Sequence, residues 1–201
     1  MRVETEKTQT GTVRRGKTYD MAYIGLFVGL MAVCSWISIP TAIPFTLQTF
    51  AIFLAVTVLG GKRGTLAVVV YLLSGAVGVP VFAEFSAGLR VLFGTTGGYL
   101  IGFIFSALLM WLVESLFGRK PWVQMFSMIL GMAAYYIVGT IWFMVVYGNT
   151  IGPVSLMTAL GWCVVPFVIP DLIKAALALS FGNALKKPLA GIMGERHGTN
   201  A

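Results

Sequence analysis

The chain has 201 residues, 58% of them hydrophobic and 10% charged, with a mean hydropathy of +0.89. No soluble domain of this length is so apolar, so the chain reads as an integral membrane protein without room for a soluble catalytic or receiver domain. A net charge of +7 would suggest nucleic acid in a soluble protein, but here Lys and Arg fall in short stretches between apolar runs. That distribution points to a lipid bilayer as partner and to no nucleic acid.

Residues 1–18 form a polar tail, expected to be cytoplasmic and disordered. Within it, Gly11-Thr-Val-Arg-Arg-Gly-Lys17-Thr18 matches the phosphate-binding string G-x-x-x-x-G-K-[ST]. A working P-loop needs a hydrophobic strand before it and a soluble helix after it. Polar residues precede this one and a membrane span follows, so it is read as fortuitous.

Apolar runs of bilayer length lie at about 20–39, 46–60, 65–79, 97–117, 122–147 and 167–185, against the ~20 residues a full span needs. The second and third are short, and the fifth is long enough to tilt. The first follows a basic tail without a small-residue cleavage motif, so it reads as an uncleaved helix. Its Ala22, Gly25 and Gly29 share one helical face, and such small-residue faces allow close helix approach. Either another span of the chain or a separate membrane subunit would cover that face. Gly98-x-x-x-Gly102 repeats the pattern more weakly.

The loop Ile39-Pro-Thr-Ala-Ile-Pro-Phe45 is uncharged and stiffened by two prolines, and Gln48 just beyond it offers a donor and an acceptor. Residues 78–98 are too broken by Gly and Pro for a helix and too apolar for a solvated loop. Such backbone packs on protein or lines a cavity, so the segment, with Glu84, Ser86 and Arg90, reads as a wall or lid. Thr95-Thr-Gly-Gly98 opens the fourth span and turns backbone N–H groups outward, although a plain helix start explains those glycines equally. Glu114, near the inner end of that span, reads as a structural acid at the interface. Residues 151–163 suggest a short surface helix, and Pro166 and Pro170 suit the first turn of the last span. Cys34 and Cys163 lie in apolar surroundings and read as packed free thiols. His197 is the only histidine, so neither a zinc site nor a histidine triad can be assembled. No cofactor is implied.

With six spans, Arg2, Lys7, Arg14, Arg15, Lys17, Lys62, Arg63, Arg119, Lys120, Lys186, Lys187 and Arg196 all fall on one side, and Arg90 is the only basic loop residue on the other. The positive-inside rule makes that side cytoplasmic. The expected fold is therefore an all-α membrane protein of six transmembrane helices. Both termini are cytoplasmic, and an irregular outer loop joins helices 3 and 4. Residues 19–186 form the membrane domain, and 187–201 a cytoplasmic tail.

Asp171 and Lys174 lie inside the last span, fifteen and twelve residues before Lys186 and hence near its outer end. A charge at membrane depth costs roughly 2.5–3.5 kcal/mol on insertion scales. Three residues apart, the two share a helical face and can neutralise each other. The pair reads as a donor–acceptor site for a small polar molecule, with a self-paired structural couple as the plain alternative.

Five stretches in order carry a resemblance: Ile43-Pro-Phe-Thr-Leu-Gln-Thr-Phe50, Gly61-Lys-Arg-Gly-Thr65, Gly78-Val-Pro-Val-Phe-Ala83, Gly94-Thr-Thr-Gly-Gly-Tyr-Leu-Ile-Gly-Phe103 and Pro166-Phe-Val-Ile-Pro-Asp-Leu-Ile-Lys-Ala-Ala-Leu177. Across about residues 19–186 the chain resembles the BioY family, the biotin-binding membrane component of energy-coupling factor (ECF) transporters. The resemblance implies a substrate-capture subunit of the plasma membrane, with no enzymatic activity of its own. Asp171 and Lys174 would be the ligand-contacting acid and base, and the small-residue face of span one would meet a transmembrane coupling subunit. Two cytoplasmic ATPases would drive uptake. On this expectation Asp171 accepts from a ureido N–H and Lys174 donates to the ureido oxygen. Gln48, Ser86, Arg90, Gly97, Gly98 and Tyr99 complete the candidate site. Some relatives carry Arg where this chain has Leu100 and Asn where it has Ser86, and many have Pro at Thr95; Arg90 is the cation available in their place. Another small metabolite on the same scaffold, or a stand-alone proton-coupled carrier relaying through Asp171, would also fit the intramembrane pair.

Overall fold

The computed structural model describes residues 18–41 and 43–186, and the first and last helices are bounded beyond these limits. The expectations for both polar tails, with the P-loop-like string and His197, lie outside the described residues. The chain is nearly all helix: α1 (Arg2–Trp36), α2 (Gln48–Leu59), α3 (Gly61–Ala76), α4 (Leu89–Leu92), α5 (Gly97–Phe117), α6 (Pro121–Thr150), α7 (Leu156–Cys163) and α8 (Val165–Met193). Among the described residues four segments are long and apolar enough to cross a membrane: Thr18–Trp36, Gly97–Phe117, Pro121–Thr150 and Leu156–Lys186. Their outward faces carry Leu26, Phe105, Leu112, Ile137, Ile141, Ile173 and Leu177, all exposed. An apolar exterior of this kind is what lipid contact requires.

The helix α2 is different. Its twelve residues span only about 18 Å, and all but Phe50 are buried. A helix apolar all round belongs inside, and α2 packs on α1, α3 and α8 as the centre of the bundle. A turn at Gly60, with φ +85, leads directly into α3. α3 thus starts four residues before the expected span, because its first N–H, on Gly61, is satisfied by Glu114 at 2.8 Å.

The loop before α2 holds a two-residue antiparallel pair, β1 (Ser38–Ile39) with β2 (Phe45–Thr46), which the all-helical expectation lacked. The irregular segment after α3 contains a single 3-10 turn at Ala83–Phe85 and the one-turn α4, so a little helix survives among its glycines. Pro166 falls in the first turn of α8 as expected, whereas Pro170 lies further inside. Its missing N–H leaves the Pro166 carbonyl without its helical partner.

The most extensive interface joins α5 and α6. A Cβ on Gly102 would come within 2.9 Å of the Tyr135 backbone, and one on Gly139 would strike the Tyr99 ring. The backbones can therefore approach closely; across the seam the Tyr99 hydroxyl meets Thr140, while Tyr135 reaches Asp171 of α8. The Gly98-x-x-x-Gly102 pattern belongs to this internal contact, with Gly98 under Trp142.

Candidate functional site

On α8, Asp171, Lys174, Ala175 and Ala178 are buried, while Leu172, Ile173 and Leu177 are exposed. The spacing i, i+3, i+4, i+7 defines one inward face, and it carries both charges. Asp171 is six residues into the helix, roughly 9 Å from its start. Lys174 Nζ lies 2.8 Å from Asp171 Oδ1, and the two residues are only 2% and 5% exposed.

The other partners of the pair come from three elements. Thr49 of α2 donates to Asp171 Oδ1 at 3.1 Å. From α6, Tyr135 and Tyr136 both donate to Oδ2, at 2.5 and 2.8 Å. Lys174 donates to the Thr46 carbonyl of β2 at 2.6 Å and sits 4.2 Å from the centre of the Phe45 ring. An ionised carboxylate has about four acceptor positions, and here all four are filled. The chain's own donors thus occupy every acceptor position of Asp171. What remains available is the lone pairs on the Tyr136 and Thr49 oxygens, which the carboxylate polarises, and the third proton of Lys174.

The pair is not sealed. It lines a cavity of roughly 230 Å³ enclosed by the β1–β2 loop, α2, the 78–96 segment, α5, α6 and α8. Gln48, Ser86 and Tyr99 line it too, whereas Arg90, Gly97 and Gly98 do not. Arg90 is exposed on α4. The Gly97 N–H donates to the Gly94 carbonyl at 3.1 Å, and a Cβ on Gly97 would strike the Leu92 carbonyl. These glycines serve the turn into α5. Leu100 reaches the cavity with an apolar side chain.

Thr46, Thr49, Tyr135 and Tyr136 escaped the sequence reading. The adjacent tyrosines midway along α6 were the legible signal, because two phenols in the middle of a span need partners there. Apolar cover comes from Ile43, Phe82, Phe103 and Phe167, and the Cys163 thiol also reaches the wall.

The roof is pinned at one end and strained at the other. Ser35 and Tyr71 both donate to the Val81 carbonyl, at 2.5 and 2.8 Å, and Trp36 Nε1 donates to that of Pro80. Phe82 inserts beneath Gly75. Immediately after, Glu84 and Phe85 hold φ of 57° and 56°, a left-handed conformation costly for side chains of this size. Glu84 lies at the cavity mouth, and Phe85 stacks on Trp36.

Comparison with known proteins matches this architecture to a family. The model of the BioY family aligns with residues 5–191, nearly the whole chain. The chain belongs to the BioY family. The biotin transporter BioY of Thermotoga maritima is 43% identical over 81% of this chain and 93% of its own length. The probable biotin transporter BioY of Pyrococcus horikoshii is 35% identical over 85% and 98%. The crystal structure of the S-component for biotin from an ECF-type ABC transporter superposes with a TM-score of 0.75 at 26% identity. It covers 85% of this chain and 92% of that one. This BioY-family chain is accordingly a multi-pass membrane protein with the all-helical S-component fold.

Proposed function

We propose that this chain captures biotin at the outer face of the plasma membrane and delivers it as the S component of an ATP-driven ECF transporter. One observation carries the reading: the hydrogen-bonding polarity around Asp171 and Lys174. Hydroxyl protons on Thr49, Tyr135 and Tyr136 are all spent on the carboxylate, so the wall offers oxygen acceptors, with one ammonium as donor. A ligand suited to that wall has several N–H groups around a single carbonyl, which describes a cyclic urea. The ureido oxygen takes the free proton of Lys174, and a ureido N–H bonds to the hydroxyl oxygens backed by Asp171. Such charge-assisted bonds strengthen in a dry pocket. Phe82, Phe103 and Phe167 cover the fused rings, and the acyl chain runs toward the mouth at Ser86 and Thr96, where Leu100 lies against its methylenes.

The membrane arrangement belongs to the same proposal. Six helices, with the short and central α2 and α3 counted among them, put both termini in the cytoplasm. The contacts Asp20–Arg63, Glu114–Arg119 and Lys186–Gln124 tie Arg63, Arg119 and Lys186 to neighbouring helices, which supports reading that end of the bundle as the cytoplasmic face of the positive-inside rule. Ala22, Gly25 and Gly29 are exposed, and nothing lies within 4 Å of a Cβ built on either glycine. No described part of this chain covers that face, so it suits docking of the transmembrane coupling subunit, with two cytoplasmic ATPases supplying energy.

Calorimetric titration of the purified chain with biotin tests the reading, with one-to-one saturation as the expected outcome. Copurification of a different metabolite, identified by mass spectrometry, would reassign the ligand. Uptake by the chain alone that collapses with an uncoupler would replace the ATP-driven scheme by a proton-coupled carrier.

A further inference from the structure

Gln48 is 4% exposed and lines the cavity. Its Nε2 donates to the Tyr71 hydroxyl at 2.9 Å. Which end of an amide is nitrogen is settled by its partners, and here the partner leaves no choice. The Tyr71 oxygen also lies 2.8 Å from the Val81 carbonyl oxygen. A carbonyl cannot donate, so the phenol proton must lie between those two oxygens. With its proton committed to Val81, Tyr71 can only accept from Gln48. Gln48 therefore turns nitrogen toward Tyr71 and Oε1 away from it. Among the described residues Oε1 accepts no bond. Among the described residues, Ser106 Oγ is the only fully buried side-chain polar atom without a partner, so Gln48 Oε1 opens onto the cavity.

We infer that Tyr71, fully buried and outside the cavity wall, is a positioning residue that locks the Gln48 amide as a hydrogen-bond acceptor in the substrate site. The lock makes the site select a ligand that bears an N–H at that point. Resting on the biotin reading above, the inference assigns one ureido N–H to Gln48 Oε1 and the other to the hydroxyls at Asp171. A site built to meet an N–H rejects an isostere that lacks it, because two acceptors are then forced together.

The test uses biotin and its two cyclic carbamate isosteres, in each of which one ureido N–H is replaced by ring oxygen. Binding to the full chain is measured in detergent. Wild type is expected to bind the carbamate whose oxygen faces Gln48 roughly tenfold or more weakly than biotin. In Tyr71→Phe the amide is free to turn its NH₂ to the ring oxygen, and the penalty for that carbamate should fall to roughly threefold or less while biotin still binds. Gln48→Met, which removes the acceptor at similar length, should likewise erase the discrimination and serves if Tyr71→Phe fails to fold. Wild-type discrimination persisting in either variant overturns the lock while leaving the biotin reading intact. A wild-type chain that binds no biotin overturns the parent reading and this one with it.

Discussion

Two acid–base pairs in this chain use similar chemistry for different ends. Glu114 and Arg119, 2.6 Å apart, join the end of α5 to the turn between α2 and α3. Their remaining bonds go to backbone. Glu114 accepts from the Gly61 N–H, and Arg119 donates to the Thr57 carbonyl at 2.9 Å. These are the orphan groups at a helix start and a helix end, so the pair fastens two helices to a third. Asp171 and Lys174 are more deeply buried, and their remaining bonds go largely to side-chain hydroxyls around a cavity. A buried pair is weak evidence of anything by itself. What surrounds it separates a fastener from a site.

The sharpest way to break this contrast is to neutralise one member of each pair. Asp171→Asn leaves Lys174 without its counter-charge and offers the two tyrosines a weaker acceptor. Breaking a buried pair costs about 3–5 kcal/mol. If half or more of that falls on the ligand-bound state, biotin affinity drops by roughly ten- to seventyfold or more, and calorimetry would read it. Wild-type affinity in Asp171→Asn and in Lys174→Met would make this pair a fastener too. Next in size is Gly29→Leu on the exposed face of α1. Biotin binding to the isolated chain should be unchanged, while ATP-dependent uptake in cells supplying the coupling module falls tenfold or more. A coequal loss of binding would place that face in the fold instead of an interface.

The two pairs were unequally legible in the sequence. Asp171 and Lys174 stood out because charge inside an apolar run is costly and their spacing is helical. Glu114 was equally apolar in its surroundings, but its position near a span end already marked it as structural. The helices α1, α5, α6 and α8 follow from apolar run length. The early start of α3 does not, because it depends on Glu114 reaching Gly61 from 53 positions away. The β1–β2 pair is likewise tertiary, held where Lys174 meets Thr46. Tyr135 and Tyr136 show two phenols within a span but not their partner, since a run of Phe, Tyr and Trp does not reveal which ring has a carboxylate opposite its hydroxyl. Arg90 is the converse case: its charge on the outer segment drew attention in the sequence, and the structure holds it exposed on α4, outside the cavity wall.

Tyr136→Phe sharpens the site half of the comparison. It deletes one of two phenol bonds to Asp171 Oδ2 and the lone pair that faces the cavity. Hydrogen bonds to charged groups are worth about 1.5–3 kcal/mol, but the vacated carboxylate position can now take a ligand N–H directly. The expected net is a loss of roughly three- to tenfold in biotin affinity, smaller than for Asp171→Asn. A gain in affinity would show that direct contact with Asp171 outweighs the relay through the phenol.

The smallest effect belongs to the fastener. Arg119→Met keeps the length of the side chain but releases the Thr57 carbonyl and leaves Glu114 to Gly61 alone. The Arg119 side chain is 38% exposed, so water screens much of the loss and the cost is about 1 kcal/mol. For a chain of this size that corresponds to a midpoint lowered by about 2–4 °C, readable by thermal unfolding in detergent. Biotin affinity should not move, because the pair sits at the far end of α5 from Tyr99 and Phe103. An affinity change larger than the stability change would mean that the joint at Gly60 and Gly61 transmits to the cavity through α2, which carries Gln48 and Thr49 at its other end. The two pairs would then be parts of one device.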